Sequence, residues 1–288
     1  MAFWAADRDG CAVYGLDEDL VLVRQIRLEW PMAVTGRPDG GAWILRATSG
    51  TSIGAAGLVR IDSSGAIRVE TGFSACASLN SLPDGSAIVL EEGSGESAID
   101  RVVRCDEAGR VEIVYSGRDL TCISASDDSI AVGDAHGTLV RVSLAPPGAV
   151  TARVDLHDRI LDLESNSTVG HIWALTACER ARIHRLDDDL VVRNSAGAGS
   201  SATSLALDQD PGRIWLVDGA GIRRLDEHGV VDLEKAGLPI VGPSRAVRDS
   251  RGGLLIASPG CVVRLDSAGR MGPGQGGFAH LVDVDRVP

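Results

Sequence analysis

Short apolar runs separated by polar, glycine-containing turns recur in a fixed order along the chain. The run Ala42–Leu45 follows the turn Asp39–Gly41, and five later runs repeat this arrangement. Equivalent positions in these runs lie 45, 43, 42, 42 and 40 residues apart, at Trp43, Ile88, Ala131, Trp173, Trp215 and Leu255. Apolar runs of this length between turn residues predict β-strands, and helical periodicity is absent at useful length.

A second apolar run follows each first one and carries an arginine at a constant position. In the run Leu58–Asp62, for example, Asp62 is followed three residues later by Gly65, which is typical of a hairpin turn. Residues two apart on a strand share a face, so each arginine is expected to reach the Asp two positions later or a carboxylate of the next repeat. The arginine column consists of Arg60, Arg104, Arg141, Arg185, Arg224 and Arg264.

Four short strands in a repeat of about 40 residues predict the blade of a β-propeller. We label the strands A to D from the innermost to the outermost. Six complete blades are predicted, at approximately residues 31–73, 74–117, 118–158, 159–199, 200–238 and 239–278. Residues 279–288 match strand A and residues 1–30 match strands B, C and D, so the two ends together supply a seventh blade.

The sequence therefore predicts an all-β fold: a seven-bladed β-propeller with four-stranded antiparallel blades, closed by one C-terminal and three N-terminal strands. It is predicted to be a single domain over residues 1–288. Closure removes the exposed edges that a row of sheets would leave. Trp4, Trp43, Trp173 and Trp215 are expected to fill the space between neighbouring blades. The alternatives are two domains, or a six-bladed ring with loose ends.

The net charge of −12 and the single lysine, Lys235, narrow the expected partners. Nucleic acid and anionic membranes both favour a basic surface, so neither is expected. No run approaches the ~18 apolar residues of a membrane span, and residues 1–9 lack the pattern of a secretory signal, so a cytoplasmic protein is predicted. The six cysteines form no Cys-x-x-Cys pair, and free thiols are expected.

Two stretches resemble known propeller repeats. Gly170–Trp173 followed by Arg185–Asp187, and Gly212–Trp215 followed by Arg224–Asp226, are similar to the NHL-repeat family and to the streptogramin (virginiamycin B) lyase-like family. The resemblance covers nearly the whole chain and implies a seven-bladed propeller. For the lyases it also implies a divalent cation held by histidine and glutamate at the channel mouth, but no histidine here stands in a matching Glu-x-His arrangement.

The channel mouth is one candidate site. The first residues of the innermost strands are predicted to ring it, and Glu164 is expected to face the same way two residues after Asp162. Convergent polar groups at such a mouth suit a ligand. Asp162, Glu164 and His280 are suitable ligands for a divalent cation, although the alternative is a water-filled channel lined by ordinary polar residues. The predicted mouth residues are Thr121, Asp162, Thr203, Arg245 and His280, spaced 41, 41, 42 and 35 residues apart.

Two enlarged loops between strands B and C, Ala47–Gly57 and Glu91–Asp100, are a second candidate site. Loops that a rigid scaffold presents often carry function. These observations favour a non-catalytic scaffold, monomeric by default and without an evident cofactor, that binds a protein or other ligand through its loop face. The alternative is a metal-dependent lyase or lactonase with its site at the channel mouth. The predicted partner-binding residues are Thr51, Ser52, Ser94 and Glu96.

Overall fold

The computed structural model describes residues 2–47, 56–94, 98–177, 181–199, 202–218, 221–236, 238, 245–272 and 274–287. Every regular element within these ranges is a β-strand. In chain order the strands are β1 (Phe3–Asp7), β2 (Ala12–Leu16), β3 (Leu22–Arg27), β4 (Pro31–Gly36), β5 (Ala42–Ala47), β6 (Ala56–Ile61), β7 (Ile67–Phe73), β8 (Cys76–Ser81), β9 (Ala87–Glu91), β10 (Asp100–Cys105), β11 (Val111–Gly117), β12 (Leu120–Ala125), β13 (Ser129–Asp134), β14 (Thr138–Leu144), β15 (Pro147–Asp155), β16 (Arg159–Asn166), β17 (His171–Ala177), β18 (Arg182–Asp187), β19 (Val192–Gly197), β20 (Ala202–Leu207), β21 (Ile214–Asp218), β22 (Gly221–Leu225), β23 (Val231–Ala236), β24 (Ala246–Asp249), β25 (Gly253–Ser258), β26 (Cys261–Asp266), β27 (Gln275–Gly276) and β28 (Leu281–Arg286).

These strands form seven four-stranded antiparallel sheets. Six sheets use four consecutive strands each, and the closing blade has the order β28-β1-β2-β3. The fold is therefore a seven-bladed β-propeller, as the repeat predicted. The six consecutive sheets are blade 1 (β4–β7), blade 2 (β8–β11), blade 3 (β12–β15), blade 4 (β16–β19), blade 5 (β20–β23) and blade 6 (β24–β27).

The closing blade joins the two ends of the chain. Strand β28 pairs antiparallel with β1, from Phe3 opposite Arg286 to Asp7 opposite Leu281. The backbone N–H of Val287 also donates to the carbonyl of Ala2 at 2.9 Å. All five residues of β1 are buried. The predicted closure by one C-terminal and three N-terminal strands is confirmed.

Contacts between Cα atoms divide the chain into two compact units. The first comprises Met1–Ser116, Leu255–Arg264 and Met271–Pro288, and the second comprises Gly117–Leu254 and Leu265–Arg270. Each of the contacts and sites below lies within one unit. The first unit holds the closing blade and blades 1 and 2, and the second holds blades 3, 4 and 5.

The tryptophan column fills the space between blades, as predicted. Trp4, Trp43, Trp173 and Trp215 are all at most 1% exposed. Trp43 of blade 1 packs in one cluster with Leu79 and Val89 of blade 2. Since an aromatic side chain buries a large apolar area, these residues carry much of the packing between sheets.

The arginine column forms ion pairs between neighbouring blades. Arg141 NH1 lies 2.9 Å from Asp188 Oδ1 of the next blade, and Arg185 NH2 lies 3.8 Å from Glu227 Oε2. Arg60 reaches Glu107 in the same way at 4.0 Å. The predicted contact with a carboxylate of the next repeat is thus confirmed at these three positions. Arg104 instead pairs with Asp84 of its own blade.

An aspartate organises most turns between strands C and D. In Asp266, Oδ1 accepts the backbone N–H groups of Ala268 and Arg270, and Oδ2 accepts the Arg270 guanidinium. The backbone N–H of Arg270 lowers the pKa of Asp266, partial loss of hydration opposes this, and the guanidinium lowers the pKa further. Asp106 has the same arrangement with Arg110, and its pKa is lowered for the same reasons.

These turns should make the protein sensitive to acid. A carboxyl whose pKa is lower in the folded state stabilises that state above its unfolded pKa, near 3.8, and loses the contribution as the pH falls through the folded value. We expect the thermal midpoint to fall below about pH 4. The double variant Asp106→Asn, Asp266→Asn should show a shallower fall in a series of thermal melts. Identical slopes for the two proteins would contradict this role.

Candidate functional site

A β-bulge lies near the start of the innermost strands β12, β16 and β20. In each strand one residue has no cross-strand partner, because the register with the neighbouring strand shifts there. These residues are Thr121, Leu161 and Thr203 respectively. The bulge register therefore makes Leu161 the equivalent of Thr121 and Thr203, and places Asp162 one position further along. The bulged residues are 40 residues apart from β12 to β16 and 42 apart from β16 to β20, so an even spacing of 41 placed Asp162 in that column.

Asp162 links the innermost strands of blades 4 and 5. Its Oδ1 accepts the N–H of Leu163 at 3.0 Å, and its Oδ2 accepts the N–H of Leu205 at 2.7 Å. Burial raises the pKa of Asp162, while the charge of Arg245 and these N–H groups oppose the rise. Asp283 repeats the arrangement in the first unit, where Oδ2 accepts the N–H of Val34 at 2.9 Å. These two carboxylates hold innermost strands together.

Glu164 occupies a second bridging position, two residues after Asp162. The equivalent residue of β12 is Ser124, whose Oγ accepts the N–H of Ser165 in the next blade at 2.8 Å. The equivalent residue of β28 is Asp285, whose Oδ2 accepts the N–H of Gly36 at 3.1 Å. The side chain of Glu164 is half-buried. The register of Glu164 therefore indicates that its side chain also links innermost strands of neighbouring blades.

Of the remaining predicted mouth residues, Arg245 acts on Asp162 through its charge, and the others have separate surroundings. Thr121 Oγ1 donates to the carbonyl of Ile160 at 2.7 Å, and Thr203 Oγ1 donates to the carbonyl of Val217 at 3.3 Å. Arg245 is exposed. In the first unit, His280 Nδ1 lies 3.5 Å from Asp9 Oδ2.

The described residues do not fit the divalent cation that the family resemblance implies. Both carboxylate oxygens of Asp162 already accept backbone N–H groups. The ring of His280 is directed to Asp9. Within the described ranges, no three His, Cys, Asp or Glu side chains come together in a way that would hold a metal ion.

The predicted loop site is mostly outside the described residues. Thr51, Ser52 and Glu96 fall in undescribed stretches. Ser94 is described and exposed, three residues after the end of β9. The loop site therefore stays a prediction.

The structure has two grooves that the sequence did not indicate. They lie at the end of blades 3, 4 and 5 that carries the A–B and C–D turns, opposite the predicted channel mouth. The first, groove 3/4, has a volume of about 230 Å³ and is lined by turn residues such as Asp127 and Ser167. The second, groove 4/5, has a volume of about 460 Å³ and is lined by residues such as Pro211 and Glu227. His171 at the start of β17 lines both, so the two grooves adjoin.

Members of the arginine column form part of the groove walls. Arg141 lines groove 3/4, where its Nε donates to Ser129 Oγ at 2.9 Å. Arg185 lines groove 4/5, and its NH2 lies 3.0 Å from a ring nitrogen of His171. Burial, with the nearby charge of Arg185, lowers the pKa of His171, so its ring is neutral at pH 7. The shared wall is therefore a neutral imidazole held by a guanidinium.

Negative charge predominates along the grooves. Among the described residues, three guanidinium groups line them, from Arg141, Arg185 and Arg213. Six carboxylates line them: Asp127, Asp128, Asp188, Asp210, Asp226 and Glu227. The formal balance is three negative charges, before any ligand is bound. No single repeat carries this set, which arises because side chains of neighbouring blades meet at the turns.

Comparison with known proteins supports the fold and leaves the family open. No protein-family model and no curated protein sequence matches the chain. Among the solved structures that match is a Bacteroides fragilis protein provisionally assigned as a 6-phosphogluconolactonase, with a TM-score of 0.73 and 10% sequence identity. The match covers 100% of this chain and 98% of that one. At this identity the likeness establishes a shared propeller fold.

The described part of the chain contains no helix that is long and apolar enough to cross a membrane.

Proposed function

We propose that the protein is a non-catalytic β-propeller scaffold, and that grooves 3/4 and 4/5 bind an extended, positively charged segment of a partner protein. The observation that supports this proposal best is the pair of adjoining grooves with a common wall at His171. Concave surfaces with a few placed polar groups are where ligands bind. Turns and loops on a rigid sheet scaffold suit such a role.

The charge balance favours a basic segment. Asp127 is exposed, and Glu227 is about half exposed and lies 3.8 Å from the Arg185 guanidinium. Arginine or lysine side chains of a partner would add close charge pairs to these carboxylates. Complementary charge mainly raises the association rate and suppresses wrong partners.

A labelled peptide of alternating arginine and serine should bind the purified protein with a measurable change in fluorescence anisotropy. The double variant Asp127→Lys, Glu227→Lys reverses one exposed charge in each groove and should weaken this binding by about tenfold or more, equivalent to about 1.4 kcal/mol. The matched control is Asp119→Lys, Asp155→Lys, which changes the net charge equally at the opposite end of blade 3. The control should bind as the wild type does.

Equal weakening in both double variants would show that net charge alone attracts the peptide, and would overturn the groove proposal.

Lactone opening is the alternative function, and the provisional assignment of the Bacteroides fragilis protein is the observation that suggests it. The sequence-based alternative places such a reaction at the channel mouth, near Asp162, Glu164 and His280. Hydrolysis of 6-phosphogluconolactone above the spontaneous rate, lost in Glu164→Gln, would favour this alternative over the scaffold.

A further inference from the structure

Blade 4 contains a serine hydrogen-bonded to a buried histidine. Ser195 on β19 and His184 on β18 are direct cross-strand partners. The distance from Ser195 Oγ to His184 Nδ1 is 2.8 Å. This is the contact that a nucleophile makes with a general base. Neither residue lines groove 3/4 or groove 4/5.

The surroundings of His184 determine which ring nitrogen carries the proton. Thr176 Oγ1 donates to the carbonyl of Arg182 at 3.4 Å, and the same oxygen lies 3.3 Å from His184 Nε2. We assign the Thr176 proton to the first bond, which makes Nε2–H the donor in the second. His184 Nδ1 then has a lone pair and accepts the Ser195 hydroxyl proton.

The imidazole is ready to act as a base at neutral pH. His184 is only 8% exposed, and Thr176 behind it is fully buried. Burial, with the nearby charge of Arg182, lowers the pKa of His184, although the charge of Asp158 opposes this. The ring is therefore neutral at pH 7, and Thr176 holds it in place.

Ser195 is placed where a reagent can approach it. Strand β19 is the outermost strand of its sheet, and the Ser195 side chain is half-buried. The backbone N–H of Ser195 donates to Asn194 Oδ1 at 2.7 Å. This N–H can donate instead to an oxyanion that forms beside Ser195 Oγ, as a nucleophile's own N–H does in an oxyanion hole.

We propose that Ser195 is an acyl-accepting nucleophile, with His184 as its base, and that it reacts with small activated carboxylic esters. Ser195 Oγ attacks the carbonyl carbon and forms a C–O bond while its proton passes to His184 Nδ1. The bond to the leaving alkoxide then breaks, and the leaving oxygen takes the electron pair and the proton from His184. The acyl group ends as an ester on Ser195, with no oxidation or reduction.

This acylation goes beyond ligand binding and is independent of the grooves. The chain offers a matched serine for comparison. Ser143 on β14 is also half-buried, but its Oγ accepts the N–H of Ala145 at 3.0 Å instead of contacting an imidazole. Only Ser195 is expected to react.

The test is incubation of the full chain with p-nitrophenyl acetate, followed by nitrophenolate release and peptide mass spectrometry. We expect one acetyl group on Ser195, none in Ser195→Ala, and unchanged labelling in Ser143→Ala. His184→Gln should slow the reaction by ~10²-fold or more. In the wild type, the rate should rise as His184 loses its proton and then stay level above about pH 7.

Several results would overturn the proposal. One is acetylation only at other positions, such as Lys235. Another is a wild-type rate in His184→Gln. If that variant fails to fold, the pH profile of the wild type decides. An acetylation rate that keeps rising up to strongly alkaline pH would show that the serine hydroxyl reacts without His184 as its base.

Discussion

Removal of residues 281–287 should abolish the cooperative thermal transition of the first unit. This segment contains β28, which supplies the innermost strand of the closing blade. Leu281 is 3% exposed and Val284 is fully buried. Without β28, the inner edge of the fully buried β1 loses its partner strand. The free energy of unfolding of a folded domain is only about 5–15 kcal/mol, and we expect the loss of these buried contacts to exceed it.

The point variant Val284→Ala gives a graded form of the same test. A buried aliphatic side chain costs about 2–5 kcal/mol when it is truncated to alanine, with valine near the lower end. Val191→Ala is the matched control, because Val191 is 48% exposed and should change stability by less than about 0.5 kcal/mol. Far-ultraviolet circular dichroism during heating measures both. A truncated chain that melts like the full one would exclude closure as a source of stability.

Trp43→Ala should be the most damaging single substitution in blade 1, costing about 3–5 kcal/mol. Trp43 is fully buried between blades 1 and 2, where truncation leaves a cavity. Its indole N–H donates to the carbonyl of Gly85 at 2.9 Å, and the Arg37 guanidinium lies 5.4 Å from the ring centre. Denaturant unfolding of the two proteins measures the difference. The exposed substitution Ile67→Ala should leave stability nearly unchanged.

Comparing Trp43→Phe with Trp215→Phe separates packing from hydrogen bonding. Both tryptophans are fully buried, and both have an arginine over the ring. The Trp215 indole N–H finds no acceptor among the described residues. Trp43→Phe leaves the Gly85 carbonyl without its donor, so it should cost about 1–3 kcal/mol more than Trp215→Phe. Equal costs would mean that the indole bond contributes nothing.

The repeat predicted the fold closely because each blade depends on local patterning. Apolar runs recur at every blade, and turn aspartates and tryptophans recur at most of them, so neighbouring strands in sequence are neighbours in the sheet. The closing blade was also predictable, since Trp4 occupies the tryptophan column. The same reasoning misplaced Asp162 relative to Thr121, because the bulged residues of β12 and β16 are 40 residues apart and the prediction used an even spacing of 41.

The grooves and the Ser195–His184 pair depend on geometry that spacing does not contain. Arg185 was predicted to meet a carboxylate of the next blade, and it does. The sequence does not say that the turns around His171 leave space beside that pair. Ser195 lies opposite His184 only because of the register shift in β19, between the partners of Arg185 and Leu186.

The order of strands in the closing blade delays its completion during synthesis on the ribosome. Strand β1 is made before its inner partner β28, which follows more than 270 residues later. At about 5–20 residues per second, the fully apolar Phe3–Ala6 stretch waits roughly a quarter of a minute to a minute for that partner. Until then one edge of this hydrophobic strand has no partner strand. The closing blade is therefore the last to be completed, although its β1–β2–β3 hairpins are made first.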